Sequence, residues 1–322
     1  MPGNVEQLTA SHYDECVALL RSVFRAKHGL YDVPPAWFQP TDEHMNRLYA
    51  IRHERKIASV LGLFPLRLCV GDRQLRIAGI SSVATSPACR GMGMMRDLMN
   101  HASQLIREGD YPLSFLGGDR HRYRYFGWER CGTQITMNML RRNLKHGFDD
   151  IAATDHLIKP LENEMDGVIA VHDRQRMRCE RADFARQLYW RGAQTFVATR
   201  RTDSAVVGYA VVHPELKAVG EVVADDTATA VQLLRDAFER YCDEQTIMPL
   251  MYQPPVPLPL LSYMGRHVES TTLTSSGNWR VFDWPQTVGT LLDFQATLRS
   301  LPDGVVTIGI AGESRTLRLS VA

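Results

Sequence analysis

Residues 83–95 read Val83-Ala84-Thr85-Ser86-Pro87-Ala88-Cys89-Arg90-Gly91-Met92-Gly93-Met94-Met95. An extended run ends, Pro87 breaks it, and an Arg-Gly-x-Gly turn opens directly into a helix. Met95, Leu98, Met99, Ala102, Leu105 and Ile106 then recur at the spacing of one helical face as far as Gly109. The first N–H groups of a helix have no internal partner, and the helix dipole adds roughly half a positive charge there. Glycines remove side chains that would keep an anion from the backbone. Arg90 adds a fixed cationic fork. Together these predict an anion cradle sized for a pyrophosphate. The loop has neither the Gly-Lys-Ser/Thr of a P-loop nor GxGxxG, and a glycine-rich turn without a ligand is the plain alternative.

Working outward, residues 56–70 (KIASVLGLFPLRLCV) and Leu75 to Ala84 are apolar and β-branched, with Gly71-Asp72 between them. They predict two strands of a hairpin, with Pro65 at a bend or an edge. Pro112 to Leu116 reads as a strand after the long helix. Upstream, Ser11 with Asp14 and Glu15 marks a helix start, with Val17, Leu20 and Phe24 on one face. Polar sequence at 143–156 suggests a boundary. A second unit follows: a helix at 181–190, strands at 195–199, 206–213 and 221–224, and a helix through Val231, Leu234, Ala237, Phe238 and Tyr241. The stretch QPPVPLPLL (253–261) predicts a connector that is not helical inside. A helix near 286–299 and a hairpin of 305–310 with 316–321 close the chain. The two larger units share an order of elements, which hints at duplication.

The 322 residues are 44% hydrophobic and 23% charged, with 37 Lys+Arg against 36 Asp+Glu. That is a globular composition, with no bulk pull toward nucleic acid or anionic membrane. The six cysteines are scattered, which predicts reduced, individually buried thiols and a cytoplasmic chain. No signal-peptide pattern opens the sequence and no apolar run reaches the ~20 residues of a membrane span. HxxxH, HExxH and GxSxG are absent from the sequence, which argues against a metal site and a serine nucleophile.

A second segment, Leu116-Gly117-Gly118-Asp119-Arg120-His121-Arg122-Tyr123-Arg124-Tyr125-Phe126-Gly127-Trp128, changes the odds. With the arginine loop it resembles the GNAT family of acetyl-CoA-dependent N-acetyltransferases. Residues 90–95 are similar to that family's Arg/Gln-x-x-Gly-x-Gly/Ala loop, with Met95 replacing the last small residue. Tyr123-x-x-x-Gly127-Trp128 is similar to its Tyr-x-x-x-Gly-aromatic segment. The hairpin leading into VATSP, the bulky Met95 and RYFGW resemble the enhanced-intracellular-survival branch, whose members join two GNAT-type domains to a sterol-carrier-protein-like domain. Trp279-Arg280-Val281-Phe282-Asp283 resembles the start of that third domain.

The resemblance implies an α/β (α+β) protein of tandem GNAT-type domains, each a mixed twisted sheet flanked by helices. The expected boundaries are 1–150 for a catalytic domain, 151–276 for a degenerate copy and 277–322 for a truncated C-terminal segment. After Glu221-Val222-Val223-Ala224 the copy continues Asp225-Asp226-Thr227, with acids where phosphates would need attraction, so it reads as silent. The implied cosubstrate is acetyl-CoA, with no metal. Its pyrophosphate lies on Arg90, Gly91, Met92, Gly93, Met94 and Met95, its pantetheine arm beside Val83, Ala84 and Thr85, and Asp119 nearby. A backbone N–H near Val83 polarises the thioester carbonyl.

Tyr123 is the implied proton donor to the leaving thiolate, a task suited to a phenol of pKa about 10; Tyr125 competes with it. The general base stays open among the carboxylate of Ala322, Asp119, Glu129 and water. Tyr31, Trp37 and Phe38 either line the acceptor pocket or cap the core. The expected partner is an amine acceptor, a small molecule or a lysine, with a homo-oligomer and no nucleic acid or membrane. Two other classes remain: a CoA-binding or oligomerising module without turnover, and nucleic-acid binding through the interleaved arginines and aromatics of 120–130.

Overall fold

The computed structural model describes residues 4–26, 29–30, 37–140, 142–143, 154–181, 188, 192–241, 248–252, 258–310 and 316–321. In chain order come β1 (Val5–Gln7), α1 (Tyr13–Val23), β2 (Arg25–Ala26), β3 (Gly29–Leu30), α2 (Asp42–Met45) and β4 (Leu48–His53). The central part of the first unit is β5 (Lys56–Val70), β6 (Arg73–Thr85), α3 (Met94–Glu108) and β7 (Leu113–Leu116). A one-turn helix α4 (Arg120–Tyr123), β8 (Glu129–Cys131) and β9 (Gln134–Met139) follow. Next are β10 (His156–Pro160), α5 (Met165–Asp173), β11 (Met177–Cys179), β12 (Gln194–Arg200), β13 (Val206–His213) and β14 (Ala218–Ala224). The chain continues through α6 (Thr227–Tyr241), β15 (Met248–Tyr252), α7 (Leu258–Met264), β16 (Ser270–Thr274) and β17 (Gly277–Val281). It closes with α8 (Trp284–Leu298) and the hairpin of β18 (Gly304–Gly309) and β19 (Thr316–Val321).

Two sheets organise these elements. The first has eight strands, in the order β1-β4-β5-β6-β7-β17-β8 with β11 added beside β5; the second has seven, in the order β10-β12-β13-β14-β15-β9-β16. Each is antiparallel except for one pair, β6 with β7 in the first and β14 with β15 in the second. The orders match position by position. At the sixth position each sheet holds a strand from elsewhere: β17 comes back from beyond residue 276 into the first, and β9 leaves the first unit to join the second.

The expected boundaries at 150/151 and 276/277 therefore do not follow the sheets. Trp279 to Val281 lie inside the first sheet and do not begin a separate segment, because the gap between β7 and β8 needs a strand with donors and acceptors on both edges.

Helix α3 forms where the periodicity predicts it. Leu98, Met99, Ala102 and Ile106 are fully buried against the sheet, and Gly109 ends the helix. The N-terminal helix starts differently from expectation. A 3-10 turn over Ala10–His12 comes first and Thr9, not Ser11, closes its capping box, so α1 proper begins at Tyr13. Cys16, Val17, Leu19 and Leu20 of α1 are buried, with Val23 and Phe24 packed beside them.

Pro65 is exposed and pairs with Ala78, between the last β4 partner at Gly62 and the first β11 partner at Leu68, where among the described residues no strand covers that edge of β5 and a missing N–H costs nothing. Helix α7 corrects the reading of 253–261. It starts at Leu258 and holds Pro259 in its first turn, where no N–H is required. The buried-thiol expectation holds for Cys16, Cys69 and Cys89 but not for Cys131 and Cys179, which are exposed because each ends a short strand at a sheet's margin. Cys242 and most of the helix expected at 181–190 lie outside the described residues.

Candidate active site

The site begins with the end of β6. Pairing between β6 and β7 runs from Ile77 opposite Leu113 to Ile80 opposite Leu116 and stops there. On the other side β6 stays paired with β5 as far as Thr85, but the register slips between Val60 and Gly62, so β6 carries one extra residue. Ser82 sits at that bulge with φ +56°. A bulge bends its strand and increases twist, and here it turns residues 81–85 away from β7. The two strands splay, and among the described residues no strand pairs with the open edge of 81–85. Ser59 Oγ donates to the Ala84 carbonyl at 3.0 Å and lies 2.8 Å from Thr85 Oγ1, which fixes the bent end from the β5 side.

From Thr85 the chain makes a 3-10 turn at Pro87–Cys89 and reaches the glycine loop. Gly91 and Gly93 have φ of +84° and +81°, in the left-handed region that side chains resist. A Cβ built on either would meet nothing within 4 Å, so the space beside them is open. Gly93 is the N-cap of α3 and has no side chain to offer the helix. The first helical bond runs from Asp97 N–H to the Gly93 carbonyl at 3.1 Å, which leaves the amides of Met94, Met95 and Arg96 ahead of the ladder.

A cleft of about 960 Å³ lies over this loop. Val83, Thr85, Arg90, Gly91, Gly93, Met94 and Met95 line it, so the structure brings together most of the residues expected to bind the cosubstrate. The exceptions have physical reasons. Ala84 alternates to the other face of β6 and is buried with α1. Met92 is 54% exposed outside the cleft. Asp119 is the N-cap of α4, its carboxylate accepting from His121 N–H at 2.9 Å. Three arginines, Arg90, Arg96 and Arg122, line the cleft and no acidic residue does among those described. The cavity field favours a polyanion.

Sequence reasoning missed Val23, Phe24, Arg96, Asn100, Arg122 and Phe126, which also line the cleft. Arg96 and Asn100 were legible: they stand four apart on α3, on the face one turn beyond the glycine loop. Val23 and Phe24 arrive only through the packing of α1. Trp37 stacks on Phe64 at 5.2 Å and Phe38 is buried, so both cap the core; Tyr31 lies outside the described residues.

The two tyrosines of the second segment separate. Tyr123 is 7% exposed, and its ring rests against Gly118 just past the end of β7. Burial pushes its phenol above the usual range. Tyr125 is 82% exposed and lines the cleft with Phe126. Glu129 makes a two-pronged ion pair with Arg120 at 2.6 and 2.9 Å, and that hydrogen bonding holds its carboxyl below the ordinary range. Ala322 lies outside the described residues.

The corresponding turn of the second sheet, between β14 and α6, is built oppositely. Asp226 accepts from Thr229 N–H at 2.7 Å and from Thr229 Oγ1 at 2.9 Å, which caps the helix from within. Asp225 is engaged by Arg174 at 3.0 and 2.9 Å. The Thr229 amide is thus occupied by a carboxylate, and Asp226 places negative charge where a phosphate would need attraction.

Residues 4–131 match the family model of the acetyltransferase (GNAT) domain, a span that contains the whole glycine loop and the splayed strands. No curated protein sequence matches the chain. Among solved structures, the GCN5-related N-acetyltransferase from Kribbella flavida superposes with a TM-score of 0.68 at 18% identity, over 99% of this chain and 81% of its own. A probable N-acyltransferase from Enterococcus faecalis V583 gives 0.66 at 13%, over 88% and 73%. Eis1 from Mycobacterium abscessus gives 0.62 at 14%, over 88% and 75%. At these identities the likeness is one of fold.

Proposed function

We propose that the protein is an acetyl-CoA-dependent N-acetyltransferase that moves an acetyl group to a primary amine, of a small molecule or a lysyl side chain, by direct attack. The observation that carries this reading is the single cleft in which uncapped amides of α3, left-handed Gly91 and Gly93, and the open edge of β6 meet. The amides and Arg90 suit a pyrophosphate, and Arg96 and Arg122 add charge for further phosphates. The free edge at 81–85 suits an extended amide arm paired as another strand would be.

In the reaction the neutral amine forms an N–C bond to the thioester carbonyl while the oxygen gathers negative charge. A β6 amide near Val83 is the donor aimed at that oxygen. The C–S bond then breaks, the ammonium proton passes to water, and the thiolate takes a proton. Water is our base: the ion pair with Arg120 lowers the proton affinity of Glu129 and Asp119 is spent on α4, while the Ala322 carboxylate lies outside the described residues. Tyr123 is our donor although it is buried beside Gly118 and is not among the residues that line the cleft; its raised pKa keeps it protonated. Tyr125, at the cleft wall, is the rival a substitution separates.

The matching strand orders support two GNAT-type units, the second without a cosubstrate site. The reading carries with it a cytoplasmic homo-oligomer, which fractionation and light scattering of the full chain test. Activity is tested by thiol release from acetyl-CoA with polyamines, aminoglycosides, amino acids and lysyl peptides. Amine-dependent release supports the proposal; tight acetyl-CoA binding with no release against the whole panel replaces it with a binding module.

A further inference from the structure

Strand β17 enters the first sheet between β7 and β8, with Asn278 opposite Leu116 on one side and Arg130 on the other. Asn278 and Arg280 point to the same face, and each reaches the segment that carries the two tyrosines. Asn278 is buried, and its Nδ2 donates to the Gly118 carbonyl at 3.0 Å, with the Leu116 carbonyl at 3.5 Å. Arg280 Nη1 donates to the Phe126 carbonyl at 2.6 Å and to Ser103 Oγ of α3 at 3.2 Å. Its guanidinium lies over the rings of Trp128 and Phe282, at 5.0 and 4.6 Å. Gly127, at φ +84°, is what lets it approach: a Cβ there would stand 3.0 Å from Arg280 Nε.

Residues 119–126 form one turn of α-helix and one of 3-10 helix. Such a short piece cannot hold its own position, because helix nucleation is unfavourable and one turn gains too few bonds. Its place is set by what grips its ends. The bond to Gly118 O comes just before it and the bond to Phe126 O at its last residue. Asn278 also keeps Oδ1 buried with no hydrogen-bond partner, an arrangement that costs stability. Against that cost stands what Nδ2 does, which is to hold the Gly118 carbonyl.

We infer that β17 is a clamp on the active site, in which Asn278 and Arg280 are positioning residues that fix the 118–127 segment against β7 and α3. The clamp comes from outside residues 4–131, so the cleft is incomplete without a strand some 150 residues further along the chain. It places Tyr123 at the splay and Tyr125 with Phe126 at the cleft wall, and leaves the glycine loop untouched. The kinetic part of this inference rests on the acetyl-transfer reading; the clamp itself does not.

The test compares N278L, R280M, R280K and W279F in the full chain. Leucine fills the asparagine site without the orphaned oxygen, so N278L removes the donor at little cost to folding. Trp279 faces the other way and packs on Phe115 at 4.8 Å, which makes W279F the control for general damage to the strand. N278L and R280M are expected to lower kcat about tenfold or more with KM for acetyl-CoA within about twofold. R280K, which keeps a donor, should stay within about threefold, and W279F should match the unaltered chain.

Trypsin supplies a readout that needs no turnover. Cleavage after Arg120, Arg122 or Arg124 should be about fivefold faster or more in N278L and R280M, with other sites unchanged. Equal cleavage in those variants and the unaltered chain overturns the clamp. So does a loss in W279F as large as theirs, or a rise in KM with kcat intact. If the unaltered chain binds acetyl-CoA but acetylates nothing, the acetyl-transfer reading fails and the protease arm still decides the clamp.

Discussion

On the acetyl-transfer reading, Gly93 and Arg90 bear on the cosubstrate in different ways. At Gly93 the backbone itself is the ligand group: φ is +81° and the three amides that follow are uncapped. Arg90 supplies charge from an exposed position at the loop's start. Replacing either with glutamate puts a carboxylate beside the phosphates, and CoA affinity measured by calorimetry should fall about tenfold or more. Unchanged affinity would remove the cradle. Tyr123→Phe should lower kcat by about tenfold or more with CoA affinity kept; if Tyr125→Phe does so instead, the donor is the cleft-wall phenol. The pH profile adds a sign. Burial raises the Tyr123 pKa, so the proton it donates is present throughout the range below about 10 and is lost only above it. A rate that falls as pH rises from 7 to 9 would therefore not come from this phenol.

Among the elements, α1 is the one whose placement the cleft depends on from outside the two motifs, since Val23 and Phe24 at its end line the cavity. Glu15 ties this helix to the sheet. Its Oε1 accepts from Ile57 N–H at 2.8 Å, and Arg52 Nη1 lies 3.0 Å from Oε2. Burial works to raise the Glu15 pKa, but the Ile57 amide and Arg52 outweigh it and hold the carboxyl below its ordinary value. A lowered folded-state pKa gives stability that is full above the unfolded value of about 4.3 and is lost as pH falls through the folded one. The side chain is 38% exposed, so solvent screening keeps the contribution to about 1 kcal/mol or less. Urea midpoints of E15Q should lie below those of the unaltered chain at pH 7 and converge with them below about pH 4. Parallel curves at all pH values would show that the ion pair contributes nothing.

For the whole molecule the exchange of strands is decisive. β17 completes the first sheet and β9 the second, each at the place where its sheet would otherwise break between two strands. Neither half of the chain is then a folding unit in the ordinary sense. A chain cut after residue 276 loses β17, leaves β7 with an open edge and detaches β8, and open edges of apolar strands pair with other chains. Such a truncation should be aggregated or largely unfolded by size-exclusion chromatography and circular dichroism. A monodisperse, cooperatively folding product would show that β17 is dispensable.

How far the sequence reaches can be argued from these elements. The phase of Leu98, Met99, Ala102 and Ile106 determined α3, Gly71-Asp72 determined the β5–β6 turn, and Arg90 to Gly93 determined an open glycine loop at the start of α3, because each depends on neighbours within a few residues. The acidic turn of the second sheet was legible for the same reason: Asp226 stands just ahead of the helix it caps. Tertiary structure alone decided that Tyr123 is buried while Tyr125 faces the cleft, since a one-turn helix has no periodicity to reveal its inward side. It alone decided that Asn278 and Arg280 hold that turn, and that β9 and β17 change places. Strand pairing joins residues by edges that any extended segment can offer, so which segment fills a gap is settled by the packing of the finished sheets.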